Sequence, residues 1–380
     1  MEHFYLFPRI TVSKSRWTVL AVIFSNLFLM VQAQENRSWP SVAVEAVRNY
    51  MDSSMVKGID TRYINVPERP WQVIGRFNMN ELKLKMESVF EEDGVRFGWE
   101  PSLSTQTAHS VGFWVGYRGY GIGYSVNVGH QTGTFFTLGA MSSSYGINLR
   151  LRTFGSAEPD VHVTLASDEE GNMIDVKEKA SLHTPIRVRS LMIDGYYIFN
   201  SSQFSYAAAY DQSALQVRSA GSLLVGAQWN ALTARFNDDQ NASFISLMHG
   251  MGTIKIRQGS VGAGYAYNWV PMRGLLVNVM AMPMLTLYNR SKAELYDVYL
   301  DTETLSTEND YIVYRETRTQ WSNITPTFNA RASLTYNWDI FFFNVYGQWT
   351  NHNYHHDSEN SGRINDWYVN TSLGVRFKVL

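Results

Sequence analysis

The stretch Trp367-Tyr368-Val369-Asn370-Thr371-Ser372-Leu373-Gly374-Val375-Arg376-Phe377-Lys378-Val379-Leu380 sorts its side chains by parity. Odd positions are apolar apart from Thr371, while even positions run Tyr, Asn, Ser, Gly, Arg, Lys before the terminal Leu. A period of two places the two sets on opposite faces of a β-strand. The segment exceeds the ~5–6 residues usual for globular strands and suits a tilted strand crossing a bilayer, which needs ~9–11. As the final segment, it reads as the closing strand of an outer-membrane barrel. It is also the stretch expected to meet the barrel assembly machinery.

At the other end, Arg9, Lys14 and Arg16 precede an apolar run from Trp17 to Val31, followed by Val31-Gln32-Ala33. Charged region, apolar region and small-residue cleavage site together make residues 1–33 a secretory signal peptide, with the mature chain starting near Gln34. An N-terminal membrane anchor is the competing reading, and the run falls short of the ~20 apolar residues that a spanning helix needs. The sequence has no Cys, which excludes disulfides, a lipidated Cys and thiolate metal sites. After the signal no segment is apolar for long enough to span as a helix, so any crossing must use strands closed into a barrel. Aromatic residues make up 14% of the chain, with 22 Tyr and 11 Trp, as expected of a β-rich protein with rings at two membrane interfaces. A net charge of −2 gives no case for a nucleic-acid partner.

Residues 34–70 form a periplasmic N-terminal segment in this reading. Val44, Val47, Met51 and Met55 fall on one face of a short helix that Gly58 would cap. Residues 71–380 read as one β domain, with candidate strands at 71–78, 81–89, 95–101, 111–117, 121–128, 134–154, 187–199, 204–212, 218–232, 260–269, 274–288, 323–338, 340–352 and 364–380. In 326–338, Phe328, Ala330, Ala332, Leu334, Tyr336 and Trp338 alternate with Thr327, Asn329, Arg331, Ser333, Thr335 and Asn337. Asn337-Trp338-Asp339 makes a tight link to the next strand.

A soluble sandwich also alternates, but its wet face carries many Lys and Glu. Here the polar faces are Gly, Ser, Asn, Thr and an occasional Arg, small enough to fill a narrow hydrated lumen. Charge gathers instead in long loops at 155–186 and 289–322. The expected fold is therefore all-β: a transmembrane, antiparallel, up-and-down β-barrel of about 12–14 strands. One loop resists this scheme. Counting back from a periplasmic C-terminus puts 351–363, 289–322 and 233–259 outside but 155–186 inside, which calls for a strand missed or merged between 187 and 259, unless that loop is an exception.

Four stretches resemble a known family: Gly58-Ile59-Asp60-Thr61-Arg62-Tyr63-Ile64, Tyr117-Arg118-Gly119-Tyr120-Gly121-Ile122-Gly123, Ser219-Ala220-Gly221-Ser222 and Gly264-Tyr265-Ala266-Tyr267-Asn268-Trp269. The chain is similar to the Bacteroidetes family named domain of unknown function 4421. That resemblance implies export and an outer-membrane barrel, and it brings no activity, cofactor or catalytic residue with it. In the residues themselves, Gly119 permits a reversal between two aromatic-rich strands, with Tyr117 and Tyr120 at the membrane interface and Arg118 in the turn.

The search for chemistry finds little. No Gly-x-Ser-x-Gly elbow and no His-Glu-x-x-His motif occurs. His109-Ser110 and His352 are the candidates for a Ser–His hydrolase or acyltransferase at the lipid interface, and the bland alternative for His109 is a polar residue at a strand entry. The run Asn351 to Glu359 with His352, His355 and His356 has metal-ligand residue types, but adjacent imidazoles point apart in an extended chain, favouring a solvated loop. Asn237-Asp238-Asp239-Gln240-Asn241 lacks the spacing of a calcium loop. The ionisable residues Arg150, Arg152, Asp194, Arg331 and Arg376 are expected to face the lumen, where they either pair across a filled interior or line a narrow path for small polar solutes.

No cofactor or metal is expected. The expected function is that of a non-enzymatic outer-membrane protein, either a small-solute channel or a structural barrel presenting outer loops. A lipid-modifying enzyme and a soluble periplasmic β-protein are the alternatives.

Overall fold

The structure, a computed structural model, describes residues 39–92, 95–99, 102–105, 107–129, 132–156, 160–167, 173–179, 182–301, 309–355 and 360–378. Residues 1–33, read above as a signal peptide, residues 302–308 and 356–359, and the last two residues lie outside them, with the expectations attached to those stretches. An N-terminal helix, α1 (Trp39–Val56), is followed by Gly58 at φ +74°. Among the described residues, those from Ser54 onward form one compact unit, and Trp39 to Ser53 fall in a separate one.

Among the described residues twelve antiparallel strands close into a barrel. In chain order they are β1 (Trp71–Glu92), β2 (Ala108–Tyr117), β3 (Tyr120–Val128), β4 (Gly133–Met141), β5 (Tyr145–Ser156) and β6 (Ile186–Ile198), then β7 (Ala220–Arg235), β8 (Met251–Met272), β9 (Leu275–Tyr299), β10 (Thr325–Trp338), β11 (Phe341–His355) and β12 (Asn360–Phe377). Each pairs with its sequence neighbours, and β12 pairs with β1 from Phe377 opposite Trp71 to Asn360 opposite Ser88. One rim has tight turns, with Gly119 and Gly274 at φ +85° and +84°. The other rim is taller, because β9 runs for 25 residues where ~9–11 cross a bilayer. Short strands at Val95–Trp99, Ser102–Ser104, Asp160–Ser167, Met173–Lys179 and Tyr311–Trp321 extend the wall there.

The burial pattern is inside-out. In β12 the polar even positions are covered, with Asn370 5% and Arg376 3% exposed, while Leu373 on the odd face is 56% exposed. Phe113, Tyr265, Trp269, Val279, Leu285 and Leu334 are likewise exposed on their strands. In water this arrangement would cost ~25 cal/mol per Å² of apolar surface left wet; in hydrocarbon it costs nothing, and strand closure satisfies the backbone.

Small inward residues let large ones fit. A Cβ at Gly374 would lie 2.1 Å from the Phe342 ring, which is buried with Ile74 and Trp114. Gly374→Val is therefore expected to cost about 1–3 kcal/mol by overpacking, read as a lower urea midpoint in vesicles. Leu373→Ala, on the lipid-facing side, should change the midpoint far less.

Three strand expectations need correction. Residues 71–78 and 81–89 are parts of one continuous strand, and 134–154 is two strands joined at 142–144. The segment 204–212 is not a strand. Its centre is a helix, α2 (Tyr206–Tyr210), capped by Ser205, whose Oγ accepts from the Ala208 amide at 3.1 Å. Three consecutive Ala favour helix over strand. The conflict in sidedness came from a strand counted in excess, not from one missed or merged: without 204–212 the 155–186 connection falls on the long-loop rim with 233–259 and 289–322.

Candidate functional site

Residues 199–219 do not make a simple turn between β6 and β7. They enter the barrel from the tight-turn rim as a plug. Phe204, Tyr206, Ala207, Ala208, Ala209 and Tyr210 are buried, packed against Leu224, Leu276, Met280, Met282 and Met284 of the inner wall. The Asn268 amide donates to Ser205 O (2.9 Å) and Gln216 Oε1 (2.8 Å), and the Tyr210 hydroxyl donates to Asn278 Oδ1.

The stretches that carry the family resemblance meet around this plug. Ile64–Asn65 pairs with Leu215–Gln216 of the plug, and the Asp60 amide donates to Ser202 O at 2.8 Å. Arg62 grips Asp60 through Nη2 at 2.7 Å, and that hydrogen bond holds the Asp60 carboxyl below the usual carboxylate range. Ser222 Oγ accepts from the Asn200 amide at 2.9 Å, and Ser219 Oγ accepts from the Val270 amide at 2.9 Å.

In the Tyr117–Tyr120 turn, a Cβ on Gly119 would lie 2.5 Å from Met141 O and 3.2 Å from the Ser213 hydroxyl of the plug. Arg118 Nη1 donates to Pro67 O at 2.5 Å. Tyr117 packs edge-on against Trp71 with centroids 4.9 Å apart, and the Tyr120 hydroxyl shares hydrogen bonds with Tyr145 (2.7 Å) and Ser54 (3.0 Å).

Above α2 an ion network crosses the lumen. Asp194 of β6 is fully buried and receives Arg150 Nη2 of β5 at 2.9 Å, Arg331 Nη2 of β10 at 3.0 Å and the Asn148 amide at 2.9 Å. Arg331 also donates to the hydroxyls of Tyr206 and Tyr196, both at 2.5 Å, and so ties plug, β6 and β10 together. Arg150 reaches Gln348 of β11, and Arg152 pairs with Asp366 of β12. Arg376 stands apart from this cluster. Its guanidinium donates to Gln212 O (2.8 Å) of the plug and Asn337 Oδ1 (2.7 Å), stacked over Phe342. Two cavities lie within the network, about 60 Å³ beside Arg76 and Tyr210 and about 10 Å³ beside Arg152 and Asp366, the second at the lower limit of about 10–15 Å³ for a single water.

The opposite end of the lumen is closed by apolar packing. A second loop helix, α3 (Ala242–Leu247), brings Phe244 and Ile245, with Met248 just after it, onto Val188, Leu232, Ala234, Ile254 and Ile256. Asn237 to Asn241, far from a cation loop, starts this cap. Asp238 accepts from the Gln240 amide, Asp239 from the Ile312 amide, and Asn241 donates to Thr184 O.

The hydrolytic candidates are not assembled. Ser110 is buried and accepts from Asn78 Nδ2 at 3.0 Å, while His109, one residue away on the other face, stacks on Phe77. His352 is not part of a solvated loop. It is buried in the lumen with Nε2 3.0 Å from Asn230 Nδ2. His356 lies outside the described residues, among which no group of three or more His, Cys, Asp or Glu could hold a metal. His109→Ala with Ser110→Ala is expected to leave the lipid profile of the host envelope unchanged, as mass spectrometry of extracted lipids would read.

Sequence reasoning missed Tyr196, Tyr206, Tyr210, Asp366 and Gln348. The signal available for the plug was Ser205 before three Ala, with Tyr at positions 206 and 210 on one helical face.

An apolar outer girdle around a plugged, ion-paired interior defines a membrane-spanning β-barrel with the architecture of outer-membrane proteins. The chain belongs to the family described as domain of unknown function (DUF4421), which matches residues 59–378. No curated protein matches it. Among solved structures it is similar to the outer membrane protein OprG from Pseudomonas aeruginosa, 9% identical with a TM-score of 0.25, covering 82% of this chain and 98% of that one. It is also similar to the outer membrane protease OmpT from Escherichia coli (9% identity, TM-score 0.33, 82% and 98% covered). A third is the toluene transporter TodX from P. putida (8% identity, TM-score 0.27, 86% and 94% covered).

Proposed function

We propose that the protein is a closed, non-enzymatic outer-membrane barrel that presents its tall rim and long loops at the cell surface. In this proposal Arg150, Arg152, Asp194, Arg331 and Arg376 hold the lumen shut. The observation that carries the reading is the Arg331 guanidinium, bonded at once to Asp194 on the wall and Tyr206 on the plug. A solute path would need that charge hydrated and mobile; here its donors are committed and the cavity it lines is about 60 Å³. Export through cleavage after residue 33 and insertion by the barrel assembly machinery through β12 complete the proposal.

The test is fractionation followed by planar-bilayer recording of the purified full-length protein. Heat-modifiable mobility in the outer-membrane fraction, with no conductance steps, is the expected result. Carbonate extraction without a heat shift would remove the membrane reading, and steady conductance would remove the closed one.

A further inference from the structure

The outer wall of β6–β9 carries a second feature that the lumen does not explain. Above the apolar girdle on the tall rim lies a cleft of about 460 Å³ walled by seven cations. The register sets them in directly opposed like pairs: Arg187 across from Arg235, Lys255 across from Lys292, and Arg257 across from Arg290. Arg189 faces Thr233, itself beside Lys255. Like charges directly opposite destabilise a sheet. Among the described residues, Glu294 beside Lys255 is the single carboxylate paired with the group.

These cations face outward by construction. Between Gly259/Tyr288 and Ser260/Thr286 the β8–β9 register slips by one residue, leaving Leu287 as a bulge. Below it the odd residues Val279 and Leu285 face out; above it the outward positions become Tyr288, Arg290 and Lys292, with Asn289 and Ser291 buried. A regular strand would have turned both cations into the lumen.

Directly below, the rings of Trp229 and Tyr288 pack 5.2 Å apart over Gly259, and Tyr288 meets Trp321 at 5.3 Å. Below the rings, Val225, Ala227, Val261, Ala263, Pro283 and Leu285 form the middle of an open apolar groove of about 1150 Å³ that runs around the outer wall from Ile147 and Tyr197 to Phe328. The Arg257–Arg290 and Lys255–Lys292 rows stand roughly 7 and 13 Å above the ring row along the strand, at ~3.3 Å per residue. That is headgroup depth above an aromatic belt.

The geometry points to a site for one lipid of the outer leaflet whose headgroup carries two or more phosphate groups, with an acyl chain in the 225–285 groove and the phosphates bridging the opposed cation pairs. Charge count selects such a headgroup, since one phosphodiester leaves most of seven cations against one carboxylate uncompensated. The groove beneath the cations selects a lipid over free phosphate. This inference rests on the membrane placement above, and heat-modifiable mobility reads that placement separately from binding.

The experiment uses the full chain folded in neutral detergent, with bound lipid read by native mass spectrometry. Bisphosphorylated lipid A should bind, and its dephosphorylated form should bind roughly tenfold or more weakly. Arg257→Gln/Arg290→Gln/Lys292→Gln should lose binding to a similar degree. Lys83→Gln, on β1 and outside both the cation cleft and the groove, should not. Ala227→Trp/Ala263→Trp should weaken lipid binding by filling the groove.

Stability gives an independent sign. In neutral detergent the triple variant should unfold at a higher temperature than the wild type, and with lipid A at a lower one. If a variant fails to fold, the wild type still decides, because lipid A affinity must fall steeply with salt. Equal binding of the dephosphorylated lipid, or undiminished binding by the folded triple variant, would overturn the site. Displacement of lipid A by millimolar inorganic phosphate together with an inert groove variant would overturn the lipid as its occupant.

Discussion

Asp194→Ala lowers the unfolding free energy of the barrel by about 3–5 kcal/mol, the cost of stranding a buried charge. Here the variant strands two, because Arg150 and Arg331 both lose the carboxylate that each meets within 3.0 Å. The expected readout is a large drop in the urea midpoint of the protein folded in vesicles. Replacing the whole group, with Asp194→Leu, Arg331→Met and Arg150→Met together, should recover most of the loss, since an apolar set of similar volume needs no partner. A single Asp194→Ala variant as stable as the wild type would mean that water already solvates the two guanidinium groups. The lumen would then be open, and the closed-barrel proposal would fail with it.

The second large effect is on permeability. The lumen is shut at two levels, by the plug around Tyr206 and Tyr210 with the charged network that Arg331 and Arg376 fasten to it, and by the apolar cap of Phe244, Ile245 and Met248 at the other end. Replacing residues 201–220 with a short Asn-Gly hairpin turn, combined with Phe244→Ser, Ile245→Ser and Met248→Ser, should convert a silent barrel into one with discrete conductance steps in planar bilayers. Each change alone should leave it silent, because one closure remains. Wild-type conductance would refute this ordering, and so would full conductance on removing the plug alone, which would show that the apolar cap does not seal.

Much of this architecture was legible because alternation is a local property. The even face of Trp367–Phe377 is polar and small, and which side of a strand a Cβ occupies follows from parity alone. The misreadings arose where parity was insufficient. The segment 204–212 carries Phe204, Tyr206 and Tyr210, which suit a strand, yet Ser205 and three Ala make a capped helix, and one false strand was enough to invert the apparent side of the 155–186 loop. His109 and Ser110 looked like a pair because they are adjacent in sequence. Adjacency in a strand is what separates them, sending one ring to the lipid side and one hydroxyl to the lumen. His352 closes the candidate strand 340–352, yet His355 and His356 drew it into a loop reading; β11 runs on to His355 and keeps it inside.

The amino-acid sequence by itself determined that strands, not helices, cross the bilayer, and that their smaller, more polar faces turn inward, since composition and period are carried by neighbouring residues. Tertiary structure decided the number of strands, the partners of Arg331 and Asp194 across the lumen, and the outward turn of Arg290 and Lys292. Those depend on ring closure, on a segment folded back into the interior and on one bulged residue at Leu287, each a relation between positions far apart in the chain that no local pattern encodes.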